Sequence, residues 1–199
     1  MSSGTDGAVP RIVVAGATSG VGKTTITAGI IAALAARGVR VQPYKCGPDY
    51  IDPSYHTLAA GRPARNLDSW MLDPAVLVEL FARSASAVDV AVIEGVMGLY
   101  DGRWNAGEAG STAQVAKLLR APVLLILDVG RCARSAAAMA FGYRRFDPDL
   151  DIAGIILNNV GSERHLHAVR AAIDEHVGVP VVGHLGKDGA ARIPERHLG

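Results

Sequence analysis

The chain has few cysteines, no zinc-type histidine spacing and almost no net charge. Its two cysteines, Cys46 and Cys132, lie far apart in the sequence and form neither a metal-binding pair nor a disulfide framework. The net charge of +1 removes the main electrostatic reason to expect a nucleic-acid partner. The six histidines are scattered, with no pair four residues apart on one predicted helix, so a zinc site is disfavoured.

Long apolar runs are also missing. The longest, residues 28–36, is far shorter than the ~20 residues that span a bilayer. Residues 1–10 are small and polar and lack the basic and apolar parts of a signal peptide, so we expect a flexible N-terminus. Together these absences predict a cytoplasmic protein with reduced thiols and no membrane partner. Because hydrophobic residues make up 49% of the chain, we expect a single folded domain over residues 11–199.

Short apolar runs alternate with helical patterns along the chain. The runs typical of buried strands are 11–15, 39–43, 88–93, 123–127, 152–157 and 179–183. After the helix that follows the first run, further helices are predicted over 52–60, 73–86, 112–119, 133–145 and 163–176. This alternation predicts a doubly wound α/β fold with a mostly parallel sheet, which binds ligands at the carboxyl ends of its strands.

The segment Gly16-Ala-Thr-Ser-Gly-Val-Gly-Lys-Thr-Thr25 lies between the first strand and its helix, the context that a P-loop requires. Gly20 and Gly22 let successive backbone N–H groups turn toward phosphate oxygens. Lys23 can reach the β- and γ-phosphates of a nucleotide such as ATP. The Thr24 hydroxyl can ligate the Mg²⁺ that accompanies the nucleotide.

Three other positions complete this interpretation. Ala17 stands where the strict pattern G-x-x-x-x-G-K-[ST] has glycine, so the match is to the relaxed motif. Thr18 and Thr25 join the predicted nucleotide-binding residues. The alternative is an ordinary glycine-rich turn with a chance lysine, which the flanking strand and helix disfavour.

The segment Lys45-Cys-Gly-Pro-Asp-Tyr-Ile-Asp-Pro53 follows the second predicted strand and is unusually rich in charge. We interpret Lys45 as a catalytic residue that faces the transferring phosphate, with Asp49 and Asp52 balancing charge near the reacting groups. Because carboxylates repel one another in a desolvated site, the aspartates should pair with Mg²⁺, Lys45 or a backbone donor and not with a substrate carboxylate. The alternative is structural: Asp52 caps a helix ahead of Pro53, and Asp49 is a turn residue.

Two further acidic residues follow the third predicted strand. Glu94 stands at the tip of that strand, where an acidic residue of a P-loop protein usually supports the metal, so we predict it as a ligand together with Thr24. Asp101 is a candidate second carboxylate across the cleft. Its alternative is a surface Asp-Gly turn.

Three strings resemble one enzyme family. The segments GPDYIDP, IEGVMGLYDG and PERHLG are similar to those of the cobyrinic or hydrogenobyrinic acid a,c-diamide synthases, glutamine-dependent enzymes of the corrin pathway to vitamin B12. The ATP-binding half of that family is similar to dethiobiotin synthetase and belongs with a wider P-loop group that includes the MinD- and ParA-type ATPases. Many of those ATPases carry a signature lysine five residues before the invariant one, where this chain has Thr18.

The resemblance implies an ATP-dependent amidation of the a- and c-acetate groups of a corrinoid substrate through an acyl phosphate. It implies that Asp49, Asp52, Glu94 and Asp101 surround the metal and the reacting carboxyl group, with Tyr50 in the substrate-facing loop. The position of Asn158 is the one expected to read the adenine edge, although an asparagine there also suits the cap of a turn.

Four other side chains are weaker candidates. His56 and Arg62 are candidates for contact with an acidic macrocycle, and His56 is the one we assign to substrate binding. Arg131 and Arg134 lie at the start of the helix predicted after Asp128. There they are candidates for contact with a phosphate or propionate group. Arginines on a solvated helix face are the commoner alternative.

The family obtains ammonia from a glutaminase half with a nucleophilic cysteine. Neither Cys46, in the charged loop of residues 45–53 (the acidic loop), nor Cys132, in a predicted helix, follows a strand in a glycine-flanked elbow. In the family, the string PERHLG precedes the glutaminase half. We therefore expect this chain to be the ATP-binding part alone. Its ammonia would come from a glutaminase domain or from another source. A MinD- or ParA-like nucleotide switch and a ligase for another tetrapyrrole remain alternatives, and a homodimer remains open.

Overall fold

One parallel sheet forms the centre of the fold. The computed structural model describes residues 9–187; residues 1–8 of the predicted flexible N-terminus, which was expected over 1–10, and the string PERHLG, residues 194–199, lie outside them. The strands are β1 (Arg11–Gly16), β2 (Val41–Cys46), β3 (Arg65–Leu67), β4 (Val90–Glu94), β5 (Val123–Asp128), β6 (Ile152–Val160) and β7 (Val181–Gly186). The helices are α1 (Lys23–Ala36), α2 (Asp52–Ala60), α3 (Pro74–Ala85), α4 (Thr112–Leu118), α5 (Ser135–Phe146) and α6 (Glu163–His176). The strand order is β3-β2-β4-β1-β5-β6-β7, and every neighbouring pair is parallel.

Helices cover both faces of this sheet. Successive strand residues point to opposite faces, so Val13 and Val14 belong to separate apolar clusters. The cluster of Val14 includes Ile31 from α1, whereas that of Val13 includes Leu77 from α3 and Ile173 from α6. The predicted doubly wound α/β fold is confirmed. Within residues 9–187, no helix has the length and apolar character needed to cross a bilayer.

Strand β2 begins and ends later than the predicted 39–43. The prediction stops at Pro43 because proline has no backbone N–H to donate. In the structure Pro43 lies inside the strand opposite Val92, and pairing continues until Lys45 lies opposite Glu94. Lys45 and Cys46 are therefore strand residues and not loop residues, which corrects the sequence interpretation.

The sequence pattern does not predict strand β3. Only three residues long, it has a single apolar side chain, Leu67, and so lacks the run that marks the other strands. It pairs with the end of β2. The Asn66 amide donates to the carbonyl oxygens of Gly47 at 2.7 Å and of Asp49 at 2.8 Å, so this short strand fixes the loop that follows β2.

Smaller shifts in element bounds change where candidate residues lie. Strand β4 includes Glu94, which the prediction placed just beyond it, and β6 continues to Val160 and thus includes Asn158. Helix α5 begins at Ser135, so Cys132 lies in the turn before it and not within a helix.

Candidate nucleotide-binding and catalytic site

The P-loop connects β1 to α1 in a turn that depends on two glycines. Gly20 and Gly22 have φ values of 76° and 93°, a conformation that side chains with a Cβ rarely adopt. A Cβ at Gly22 would also lie 2.4 Å from the Asn158 amide nitrogen. Ala17 does not have a positive φ, so alanine in place of the motif glycine causes no backbone strain. The Ala17 N–H donates to the Ile126 carbonyl oxygen at 3.0 Å, which anchors the loop to β5.

Lys23, the first residue of α1, folds back over this loop. Its Nζ donates to the Thr18 carbonyl oxygen at 3.0 Å, and only 8% of the residue is exposed. Burial, together with the charge of Lys45, lowers the pKa of Lys23 to about 8, although Glu94, Asp52 and Asp101 act in the opposite direction. The cation is therefore costly in the nucleotide-free protein, and an anionic phosphate would stabilise it.

We predict that nucleotide affinity falls as the pH rises through about 8, because deprotonation removes the Lys23 charge that a phosphate would meet. The dissociation constant for a nucleoside triphosphate should be about tenfold higher near pH ~9 than near pH ~7, as the protonated fraction falls. Calorimetric titrations at both pH values measure this change. Lys23→Arg stays charged throughout and should lose the dependence; a wild-type constant that is the same at both pH values would contradict the prediction.

A buried network of charges lies where β2 and β4 end. Lys45 Nζ contacts Glu94 Oε1 at 3.1 Å, Asp52 Oδ2 at 3.1 Å and the Gly95 carbonyl oxygen at 2.8 Å. The side chains of Lys45 and Asp52 are each 3% exposed, and that of Glu94 is fully buried. The sequence analysis predicted that Asp52 pairs with Mg²⁺, Lys45 or a backbone donor, and the pairing with Lys45 is confirmed.

Burial and pairing act against one another in this network. Burial would lower the pKa of Lys45, yet the charges of Glu94 and Asp52 outweigh it and raise that pKa. Burial raises the pKa of Asp52, and the nearby charge of Glu94 raises it further. For Glu94, burial alone would raise the pKa, but hydrogen bonds and charge from His56 and Lys45 lower it. Glu94 is thus the carboxylate that these neighbours hold ionised.

Glu94 also joins the network to the P-loop. Its Oε1 accepts a hydrogen bond from the Thr24 hydroxyl at 2.8 Å, and its Oε2 pairs with His56 Nε2. His56 is fully buried on α2, so the assignment of this residue to substrate binding is corrected: its ring supports Glu94 and has no exposed surface. The sequence gave no sign that His56 is buried, because its neighbours on the predicted helix are polar.

Asp49 organises the start of α2. Its Oδ1 accepts from the backbone N–H of Ile51 at 2.8 Å and of Asp52 at 3.2 Å. The sequence prediction that Asp49 pairs with a backbone donor is confirmed. Asn66 holds the same loop from β3, so the acidic segment is fixed on both sides.

The other candidates lie around this centre. The Asp101 carboxylate accepts a hydrogen bond from the Gly98 N–H at 3.0 Å, and its negative charge acts to raise the pKa of Lys23. Tyr50 projects from the acidic loop and is 91% exposed. Asn158 donates to the Val21 carbonyl oxygen at 2.8 Å and so contacts the P-loop itself. Its predicted contact with adenine stays a prediction, as do the roles of Thr18 and Thr25.

Residues 12–199 match the family model of the CobQ/CobB/MinD/ParA nucleotide binding domain. The chain belongs to this family.

Curated relatives of this nucleotide-binding domain have longer chains. The chain is 53% identical over 198 residues to the hydrogenobyrinate a,c-diamide synthase of Streptomyces coelicolor, covering 100% of this chain and 40% of that protein. It is 52% identical over 190 residues to the cobyrinate a,c-diamide synthase of Dehalococcoides mccartyi, covering 96% and 41%. The chain thus spans about two fifths of the length of these relatives.

Solved structures support the fold of this family domain. Chloroplast FtsY from Physcomitrella patens aligns with a TM-score of 0.65 at 18% identity, covering 91% of this chain and 60% of that one. FtsY from Elizabethkingia anophelis aligns with a TM-score of 0.63 at 21% identity, covering 92% and 60%. At these identities the likeness shows the arrangement of strands and helices alone.

The oxygen donors of the domain fit a nucleotide-bound magnesium ion. Thr24 and Glu94 offer a hydroxyl and a carboxylate, which are the oxygen ligands that Mg²⁺ prefers. Residues 9–187 hold no group of three or more histidine, cysteine or acidic side chains placed for a metal. This arrangement suits an ion that takes its remaining ligands from phosphates and water.

Two residues of the site escaped the sequence interpretation. Tyr143 on α5 donates its hydroxyl proton to the Ala17 carbonyl oxygen and so supports the P-loop from a helix more than 100 residues away. Asn66 supports the acidic loop from the unpredicted strand β3. Neither lies in a motif: the pairing of β3 with β2 places Asn66, and the packing of α5 beside the P-loop places Tyr143.

Replacing Asp49 with asparagine should lower turnover with substrate more than it lowers nucleotide affinity. Asparagine retains Oδ1 and therefore both of these backbone hydrogen bonds, while it removes the charge and replaces the acceptor Oδ2 with an NH₂ donor. Steady-state kinetics and nucleotide titration on the same preparation measure the two effects. If turnover and both affinities stay within about twofold, or roughly 0.4 kcal/mol, Asp49 has a structural role only.

Proposed function

We propose that this chain is the ATP-binding synthetase part of a corrinoid a,c-diamide synthase. It would activate the a- and c-acetate carboxylates of cobyrinic or hydrogenobyrinic acid with ATP and convert them to amides with ammonia. The names of the relatives support the substrate class. The single observation that carries the chemistry is the buried network in which Lys45, Asp52 and Glu94 meet Thr24 of the P-loop.

The reaction has two balanced steps. A substrate carboxylate oxygen attacks the γ-phosphorus of ATP, the bond to the β–γ bridging oxygen breaks, and an acyl phosphate and ADP form. Ammonia then attacks the acyl carbon, and the amide and inorganic phosphate leave. Mg²⁺, when bound, would neutralise charge on the phosphates.

The residues of the chain act by position and charge. Lys23 neutralises the phosphate oxygens as the γ-phosphoryl group moves, and the P-loop N–H groups bind the phosphates. Lys45 already holds Asp52 and Glu94 through its ammonium group, so these carboxylates are less repulsive toward an arriving substrate carboxylate. Positioning in this partly dry site supplies much of the acceleration.

A MinD- or ParA-like switch is less well supported. Thr18 occupies the position of the signature lysine, and its carbonyl oxygen accepts the hydrogen bond from Lys23. A switch has no need of a lysine and two carboxylates buried beside the P-loop, since its output is partner association. Product analysis separates these functions, because a switch hydrolyses ATP without forming an amide.

We predict that the chain forms amide, ADP and phosphate from cobyrinic acid, ATP and ammonium chloride, but releases no glutamate from glutamine. Burial raises the pKa of Cys46 to about 12, so this thiol does not supply a thiolate near neutral pH. Burial also raises the pKa of the Cys132 thiol. Chromatography of the corrinoid and an enzymatic glutamate assay measure both outcomes.

The Cys46→Ala and Cys132→Ala variants are the controls for glutamate release. Release from the wild type above both variants would overturn the assignment as a synthetase part without glutaminase activity. ATP hydrolysis without amide under saturating ammonium would contradict the ligase proposal.

A further inference from the structure

Exposed apolar side chains gather at one edge of the sheet. Of twelve large apolar side chains that are exposed within residues 9–187, five lie on the loops after β2, β3 and β4. These five are Tyr50, Trp70, Met71, Met97 and Trp104. The three strands are neighbours in the sheet, so their loops share one edge. Single exposed apolar residues are ordinary, but a group of this kind indicates a binding surface.

Both tryptophans of the chain belong to this group. Trp104 is 88% exposed and Trp70 is 51% exposed, although tryptophan is among the side chains that gain most from burial. Their indole rings have few rotatable bonds, so they present a wide apolar area at a low cost in conformational entropy. A ligand that covers them should itself be broad and apolar.

The loops that carry the tryptophans are held in place. Asp68 accepts hydrogen bonds from the N–H groups of Trp70 at 2.8 Å and Met71 at 3.2 Å. The Arg103 N–H donates to the Ala109 carbonyl oxygen at 2.8 Å and closes the second loop. A Cβ at Gly110 would lie 3.5 Å from Trp70 Cβ, so the two loops are in contact. This surface is preorganised.

Arg103 adds a positive charge to the surface. Its guanidinium carbon lies 3.6 Å from the centre of the Trp70 ring. A guanidinium stacked in this way keeps the N–H groups at its edge available for a carboxylate. Within residues 9–187, no carboxylate oxygen is within ion-pair distance of Arg103.

The surface adjoins the place where the phosphates would bind. Strand β4 lies between β2, which carries Lys45, and β1, which leads into the P-loop. The loop after β4 touches the P-loop, since a Cβ at Gly98 would lie 2.8 Å from the Ala17 carbonyl oxygen. The same loop continues through Asp101 to Arg103 and Trp104. A broad ligand on the tryptophans would therefore extend one edge toward the γ-phosphate.

We propose that Trp70, Arg103 and Trp104 form the binding surface for the macrocycle of the substrate, a broad apolar ring with carboxylates around its rim. This inference rests on the proposed function and identifies residues that recognise its substrate. The tryptophans contact the apolar ring, and Arg103 pairs with a rim carboxylate other than the one being amidated. The charge and the apolar area together match such a ligand better than either a simple carboxylic acid or an uncharged apolar compound.

Equilibrium dialysis of cobyrinic acid against the chain tests this proposal. Arg103→Gln and Trp104→Ala should each raise the dissociation constant at least tenfold, with thermal stability and nucleotide affinity unchanged because both side chains are exposed. The matched controls are Arg145→Gln and Phe141→Ala. They alter a second arginine–aromatic pair, at 5.5 Å on α5, and should have no effect.

A fully esterified cobyrinic acid separates charge from apolar contact. The ester should bind the wild type and Arg103→Gln equally, whereas Trp104→Ala should still weaken it. Wild-type affinity for cobyrinic acid in both Arg103→Gln and Trp104→Ala would overturn this surface and leave the proposed function standing, since amide formation is measured independently. Failure of the wild type to bind the acid at all would overturn the surface, and the amide assay then decides the function separately.

Discussion

Glu94→Gln should reduce amide formation at least about a hundredfold, the scale expected when a preorganised charge beside a reacting phosphoryl group is lost. The Glu94 carboxylate accepts hydrogen bonds from Thr24 and Lys45 on one oxygen and pairs with His56 on the other. Glutamine keeps one acceptor oxygen for Thr24 and Lys45 but replaces the other with an NH₂ group, so the negative charge that balances Lys45 is lost and Nε2 of His56 no longer faces a carboxylate oxygen. Steady-state turnover as a function of Mg²⁺ concentration is the measurement.

Glu79→Gln is the matched control for this variant. Glu79 lies on α3 with a side chain that is 59% exposed and pairs with Arg83, so its loss should leave turnover unchanged. Wild-type turnover by Glu94→Gln at limiting Mg²⁺ would show that Glu94 supports neither the metal nor the phosphoryl transfer.

Lys45→Met should destabilise the fold by about 3 kcal/mol, the low end of the cost of removing one partner from a buried ion pair. Asp52 and Glu94 would then face one another without the cation that now lies 3.1 Å from each. For a chain of this size, the loss corresponds to a melting temperature lower by roughly 6–12 °C. Calorimetric or fluorescence-monitored melting measures it.

The pH dependence of this loss has a definite sign. Without Lys45, the pKa values of both carboxyl groups in the folded protein should rise above their values in the unfolded chain. A carboxyl group with a raised pKa lowers the stability of the fold at pH values above its pKa in the unfolded chain. The loss should therefore diminish as the pH falls and the carboxyl groups take up protons. Lys117→Met removes a partly exposed lysine from two ion pairs and should cost no more than about 1 kcal/mol. Equal losses in both variants would contradict the special role of the buried network.

The parts of the fold that local patterns encode were predictable. The P-loop carries its own glycines and lysine, and α3 begins within one residue of the predicted start, where the Asp73 side chain accepts from the Ala75 N–H. Strand β3 was not predictable, because its stability comes from pairing with β2 and not from its own apolar content. The end of β2 was misplaced because pairing with β4 outweighs the hydrogen bond missing at Pro43.

The candidate site was predictable as a set of residues and not as a set of contacts. Electrostatic reasoning predicted that Asp52 would pair with Mg²⁺, Lys45 or a backbone donor, and the structure shows Lys45 as a partner. The burial of His56 against Glu94 was not predicted, since a polar residue on a short helix gives no sign of which face it occupies. Tyr143 reaches the P-loop through tertiary packing, which no local pattern in a single sequence reports.

Oxygen transfer from substrate to phosphate tests the central claim most directly. Attack by a carboxylate on the γ-phosphorus places one carboxylate oxygen in the phosphate that is later released. With cobyrinic acid labelled with ¹⁸O in its carboxylates, and with ATP and ammonium, mass spectrometry of the phosphate should find one labelled oxygen for each amide formed. Unlabelled phosphate formed in step with ATP consumption would show that water attacks the nucleotide, and would contradict activation through an acyl phosphate.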